Sequence, residues 1–190
     1  MSRVLLVASD QNELKGLDGD WNKCVCGVGP FLSAANTVKY ALETKADVVV
    51  SVGSAGSLGR LERGEVISFG EVVTPDQDLS AMHIALGSTI GENRATFREL
   101  RTLDKESPYI LYTSGKFNTS VIDSHRLLKA DAADMEAYGV GIAARVLGIG
   151  FYAVKLITDT VGVKSTVGDI SFSYREGRAR LSSFLSSMLG

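Results

Sequence analysis

An α/β fold with a largely parallel or mixed sheet is what this 190-residue chain predicts, on two observations. Apolar runs of strand length alternate with amphipathic helical patterns from one end to the other. Several of those runs end in glycine-rich turns, the places where open α/β sheets hold ligands. With 45% hydrophobic residues the chain can bury one sizeable core but is short for two ordinary domains, so residues 1–190 are expected to form a single domain.

Taken in order, Val4-Leu5-Leu6-Val7-Ala8 reads as a first buried strand and lacks the length and cleavage pattern of a secretory signal. Further strands are expected over 23–28, 47–53, 65–74, 109–113, 132–135 and 151–157. Ala34, Ala35, Val38, Ala41 and Leu42 recur at helical spacing, with Pro30 suited to the first turn. Val140, Ala143, Ala144 and Leu147 repeat the pattern, as do Leu181, Phe184, Leu185 and Met188, and core packing accounts for all three stripes. Residues 76–93 are polar and contain glycine, and are expected to form a functional loop or a subunit contact.

The formal charge of −2, from 20 basic and 22 acidic residues dispersed along the chain, leaves no footprint for nucleic acid or an anionic membrane. No apolar run approaches the ~20 residues of a membrane helix. A small, nearly neutral ligand and a cytoplasmic location are expected. Cys24 and Cys26 are read as packed reduced thiols on opposite faces of a strand, unable to share a disulfide. His83 and His125 have no ligand set around them, so no metal is expected.

Four turns carry the candidate chemistry. Gly27-Val28-Gly29-Pro30 lets backbone approach a ligand, but it lacks the third glycine of a dinucleotide fingerprint, and no nicotinamide cofactor is expected. Val48 to Gly56 runs a buried strand into small residues, where Gly53 and the Ser54 hydroxyl are free to meet a ligand. Asp134-Met135-Glu136 places two carboxylates before an apolar helix, either as caps or, for Glu136, as a two-oxygen acceptor for a sugar diol. Thr158-Asp159-Thr160 sets a carboxyl group at the mouth of a buried strand, either capping the next turn or donating a proton.

Together these pieces, with Asp76-Gln77-Asp78, Phe117 and Lys155 to Asp159, resemble the methylthioadenosine/adenosylhomocysteine nucleosidases and the related purine nucleoside phosphorylases. The resemblance spans nearly the whole chain. It implies a three-layer α/β/α fold with a mixed, partly barrel-like central sheet, a purine nucleoside ligand, no cofactor and a homodimer. It matches Asp159 to the acid at purine N7, with Ser54 helping to hold that carboxyl group. Glu136 matches the ribose-binding Glu, and Met135 the residue beneath the sugar. Phe117 would stack on the base, the Asn118 backbone would read its edge, and Phe172 would cover the 5′ substituent. Asp134, Thr158, Gly53 and Val28 complete the expected contacts, while Leu79 and Met82 would reach a neighbouring subunit's pocket. Glu13 matches the water-activating Glu after one inserted residue, with Asp10 as the alternative.

Two features separate hydrolysis from phosphorolysis within that resemblance. Ser51 stands where hexameric phosphorylases carry an Arg, and an N-terminal Gly-Asp-Pro is absent, so water is the expected nucleophile. Gly115 in place of a Gly-Asp, Asp134 in place of Glu and Lys155 in place of Arg depart from the family pattern and leave the 5′ substituent open, with futalosine-type nucleosides among the alternatives.

Overall fold

The computed structural model describes residues 2–91 and 96–190. The strands are β1 (Val4–Ala8), β2 (Asn22–Val25), β3 (Val48–Ser51), β4 (Ser54–Ser57), β5 (Val66–Phe69), β6 (Glu71–Val73), β7 (Thr89–Ile90), β8 (Thr96–Phe97), β9 (Leu100–Arg101), β10 (Ile110–Thr113), β11 (Ala132–Asp134) and β12 (Gly150–Thr160). The helices are α1 (Gln11–Leu14), α2 (Pro30–Thr44), α3 (Asp123–Leu127), α4 (Ala137–Leu147) and α5 (Val167–Leu189). None of the described helices is long and apolar enough to cross a membrane.

Ten strands form one mixed sheet in the order β2-β1-β3-β12-β4-β11-β10-β6-β9, with β5 paired to β12. β1, β2, β3 and β12 run parallel, whereas β4 meets β11 and β5 meets β12 antiparallel. β12 organises the sheet. Its first half pairs with β3 and its second half with β4, and its register shifts between Ile157 and Asp159. That irregularity bends the strand and re-aims its end, as bulges do beside ligand sites.

The alternation of side chains along β1 explains the layers. Leu5 and Val7 join Val49, Ala153, Ala137, Val140 and Ala144 in a core shared with α2 and α4. Val4, Leu6 and Ala8 point the other way, into a core with Val154, Leu156, Leu181 and Leu185 beneath α5. Each leucine buried in this way contributes about 1.5–3 kcal/mol. Three layers result, α/β/α, with the sheet curled at its centre.

Local chemistry sets the helix ends. Pro30 opens α2 after Gly29, and α5 opens on a capping box in which the Thr166 amide donates to Asp169 Oδ2 at 2.8 Å while the Asp169 amide donates to Thr166 Oγ1 at 3.2 Å. Gly148 ends α4 in the left-handed conformation.

Several sequence expectations need correction. The stretch 65–74 is two strands, broken at Gly70, where a Cβ would collide with the Ser107 carbonyl. Ser54–Ser57, expected as a ligand-facing turn, is a strand: its small residues carry little β propensity, and pairing with β11 and β12 supplies what propensity does not. α5 starts at Val167, well before the apolar repeat that announced it. Cys24 and Cys26 are free and buried in one and the same core, because residues two apart along extended chain face the same side. Within the polar stretch 76–93 the structure has a 3-10 turn at Ser80–Met82 and the strand β7, and residues 92–93 lie outside the described residues.

Candidate active site

A cleft of about 590 Å³ opens where β1, β11 and β12 end, and Glu13, Glu136 and Asp159 all line it. These carboxylates come from α1, from the junction before α4 and from the end of β12. Chain positions more than a hundred residues apart thus meet because the parallel strands stop at one edge of the sheet.

Glu13 is the most firmly held of the three. Its Oε1 accepts from the Ser54 amide at 2.8 Å and the Ser54 hydroxyl at 3.0 Å, and its Oε2 accepts from the Ser9 hydroxyl at 2.8 Å and the Ser9 amide at 3.1 Å. Tyr174 on α5 donates to the Glu13 carbonyl at 2.9 Å, tying the turn down. Ser54 therefore supports Glu13 and not Asp159, as the resemblance implied. Its hydroxyl stands at the start of β4, directly across the β3–β4 break from α1. Gly53 at that break has φ of +137°, and a Cβ there would lie 2.7 Å from Glu13 Oε1, so both conformation and space require glycine. Asp10 lines the same cleft, but its side chain caps α1 by accepting from the Asn12 amide at 2.6 Å.

Glu136 is buried, and its Oε1 accepts from the Gly29 amide at 3.1 Å. Burial first, and then the Asp134 carboxylate, push its pKa up to about 7 against the opposing pull of Lys155 and the Gly29 amide. Asp134 settles the capping alternative in its own case: its Oδ2 accepts from the Ala137 amide in the first turn of α4 at 3.0 Å, and Oδ1 accepts from the Thr113 hydroxyl. The same Oδ2 lies 2.9 Å from Lys155 Nζ, and both side chains are 1% exposed. Burial disfavours the Lys155 cation, yet Asp134, Glu136 and Glu13 outweigh it and raise its pKa. Beneath the cleft floor a buried Lys155 cation is thus paired with Asp134.

Asp159 follows the register shift of β12, and its Oδ1 accepts from the Thr158 hydroxyl at 2.9 Å. Gly56 of β4 passes close to the other oxygen, such that a Cβ there would stand 3.2 Å from Oδ2. Val28, Phe117, Asn118 and Met135 line the space between these acids, and Phe117 is largely exposed.

No protein-family model matches the chain. Solved structures do resemble it along their whole length. A Helicobacter pylori 5′-methylthioadenosine/S-adenosylhomocysteine nucleosidase, complexed with a pyrrolidinol that carries an aminopyrrolopyrimidine, is 18% identical with a TM-score of 0.82, over 99% of this chain and 97% of that one. A futalosine hydrolase from the same organism gives 18% and 0.82 over the same shares. An S-adenosylhomocysteine nucleosidase from Streptococcus pyogenes, in complex with 5-methylthiotubericidin, is 19% identical with a TM-score of 0.76, over 98% and 97%. The chain has the nucleoside phosphorylase-like fold.

In this nucleoside phosphorylase-like fold the expected residues Glu13, Val28, Ser54, Phe117, Asn118, Asp134, Met135, Glu136, Thr158 and Asp159 share the cleft. Gly53 contributes by leaving room for Glu13. Phe172 does not line it but is half exposed on α5 beside Arg175, and Leu79 and Met82, expected at a neighbouring subunit's pocket, lie outside this chain's own cleft, with Met82 exposed on the 3-10 turn. Sequence reasoning missed the α5 wall, formed by Ile170, Ser171, Tyr174, Arg175 and Arg178. Their spacing is helical and could have been read, but the residues are mostly polar and no apolar stripe drew attention to them.

Proposed function

We propose that the chain hydrolyses the N-glycosidic bond of a purine nucleoside, releasing the free base and the sugar. The observation that carries this reading is the convergence of Glu13, Glu136 and Asp159 on one cleft of a fold whose solved examples include nucleosidases. Asp159, held through one oxygen by Thr158, donates a proton toward N7 of the base, so that the bond to C1′ breaks with the electron pair leaving on the purine. Glu136 accepts hydrogen bonds from the ribose hydroxyls and opposes the positive charge that develops on the sugar. Met135 packs beneath the ring, and Phe117 and Asn118 border the base. Glu13, fixed by Ser9 and Ser54, takes a proton from the water whose oxygen bonds to C1′.

A phosphate nucleophile is the second reading, since Arg175 and Arg178 reach the cleft. Water is favoured because any nucleophile approaching Glu13 meets Glu136 as well, and two carboxylates repel a phosphate dianion where they tolerate a neutral molecule. Incubating the protein with methylthioadenosine, with and without phosphate, tests the proposal. Free adenine and free sugar without phosphate are expected. A strict phosphate requirement, with a sugar phosphate as product, would replace hydrolysis with phosphorolysis, and no turnover of any purine nucleoside would overturn both.

The proposal extends to a homodimer working in the cytoplasm. Val28 and Phe117 line the cleft and are exposed, and Phe31, Leu32 and Met82 are exposed as well, Phe31 at 85%. Gly115 donates its amide to Asp76 at 2.8 Å and lies beside Pro30, so the segments bearing these residues adjoin one another. Apolar surface of this kind marks an interaction site, and a second copy seated there would bring apolar side chains to the open end of the cleft. Two buried free thiols accord with a reducing compartment.

A further inference from the structure

Residues 114–122 join β10 to α3 and carry Phe117 and Asn118 to the cleft. At the near end of this loop the Ser114 amide donates to the Asp134 carbonyl at 3.2 Å, and the Gly115 amide to Asp76 Oδ2 at 2.8 Å. Thr119, Ser120 and Val121 are exposed and make no backbone hydrogen bond among the described residues. The far end is held by one side chain. The Ile122 amide donates to His125 Nδ1 at 3.1 Å, and the His125 amide donates back to the Ile122 carbonyl at 3.1 Å. His125 is itself buried, and its ring meets that of Tyr112 edge-on with centroids 4.2 Å apart. Tyr112 packs in turn with Ala133 and Val161, which line the cleft.

An Nδ1 that accepts from an amide carries no hydrogen, so the ring's one proton sits on Nε2 and the imidazole is neutral. That Nε2 is buried and has no hydrogen-bond partner among the described residues. Acid adds its proton at Nδ1. The new proton takes the lone pair that held the Ile122 amide, sets two N–H groups against each other and leaves a buried cation with no acceptor at either nitrogen. Burial pushes the His125 pKa below its ordinary 6.5. The charged groups on the elements packed around it are engaged elsewhere or exposed. Asp123 pairs with Arg126 at 3.4 Å on α3 itself, Asp131 with Arg60 at 3.1 Å, and Asp76 with the Gly115 amide, while Lys129 is exposed. The Tyr112 hydroxyl shares a 2.9 Å hydrogen bond with Ser124. We infer that His125 is a positioning residue for the base end of the cleft: its neutral imidazole clasps the Ile122 amide and so holds the loop that carries Phe117 and Asn118, and protonation releases that loop.

The inference rests on the purine nucleoside reading for its probe, free adenine, which lacks the ribose that Glu136 addresses. Two quantities are compared at about pH 7.5 and about pH 5: the hydrogen-exchange protection of the Ile122 amide by NMR, and the dissociation constant of adenine by calorimetry. In the wild type, protection and affinity are both expected to fall about 10-fold at the lower pH, while amides of β1 and β3 stay protected. His125→Asn sets an amide oxygen near the place of Nδ1, so it keeps an acceptor for Ile122 and cannot take up the proton. It is expected to match the wild type at the higher pH and to change less than about 2-fold on acidification. His125→Phe keeps a ring without an acceptor and should show the low protection and weak affinity at both pH values. All three proteins carry the same cleft acids, so a pH response confined to the wild type belongs to His125. Amides of β1 report whether each variant is folded, and the wild-type profile alone suffices to refute the clasp. Wild-type protection that is flat with pH, an Asn variant that follows the wild-type profile, or protection lost with adenine affinity unchanged would overturn the positioning role. Protection that responds as expected in a protein that binds adenine at neither pH would instead overturn the purine reading and leave the clasp on the loop standing.

Discussion

Replacing Lys155 by Met probes the buried ion pair that Lys155 forms with Asp134 beneath the cleft. Lys155 Nζ is 2.9 Å from Asp134 Oδ2, with both side chains 1% exposed, and its only other close acceptor among the described residues is the Val52 carbonyl at 3.4 Å. Removing one partner of a buried pair costs about 3–5 kcal/mol, because the remaining charge is left without compensation. Asp134 would still accept from Thr113 and from the Ala137 amide, so the lower end applies, about 3 kcal/mol. For a chain of this size that corresponds to a Tm lower by about 6–12 °C. Urea denaturation is the assay, and the midpoint should fall while the slope stays constant. Adding Asp134→Asn to Lys155→Met removes the stranded charge, so the double variant is expected to be more stable than Lys155→Met alone. A loss under about 1 kcal/mol in the single variant, or a double variant less stable than the single, would refute the view that Lys155 compensates buried carboxylates.

Further expectations concern the cleft itself. Asp159→Asn should keep the wild-type denaturation midpoint but lower turnover of methylthioadenosine by about 10²-fold or more, and unchanged turnover would remove Asp159 from the chemistry. Glu136 has a pKa of about 7 against an ordinary value of 4.5, so nucleoside binding should strengthen as pH rises through about 7, and a flat calorimetric profile across that range would contradict its role as a charged acceptor. The sign for stability is opposite: the folded state holds this proton more tightly than the unfolded chain, so Glu136 favours folding at low pH, and that contribution is lost as pH rises from about 4.5 to about 7. Gly53→Ala should displace Glu13, since its Cβ would sit 2.7 Å from Oε1, and turnover should drop more than the affinity for adenine; a fully active variant would show that Glu13 need not be fixed there.

The α/β class, most of the strands and the candidate acids could be read along the chain before any fold was known. Val4–Ala8 and the start of α2 at Pro30 are local facts: an unbroken apolar run and a proline pre-set for a first helical turn leave few alternatives. Glu136 and Asp159 were legible because a carboxylate at the end of an apolar strand or before an apolar helix is conspicuous wherever the chain goes next. What each acid touches was not legible. Ser54 supports Glu13 although Asp159 had seemed its partner, Asp134 is the counterion of Lys155 as well as a helix cap, and the α5 wall is mostly polar and shows no apolar stripe. Strand Ser54–Ser57 existed only once β11 and β12 could pair with it. Propensity and periodicity act over a few neighbouring residues, whereas hydrogen-bond partners, burial and the pKa of Glu136 depend on groups that are distant in the chain and adjacent only after the sheet has curled. How each acid is held, and the burial that raises the pKa of Glu136, therefore come only with the folded arrangement.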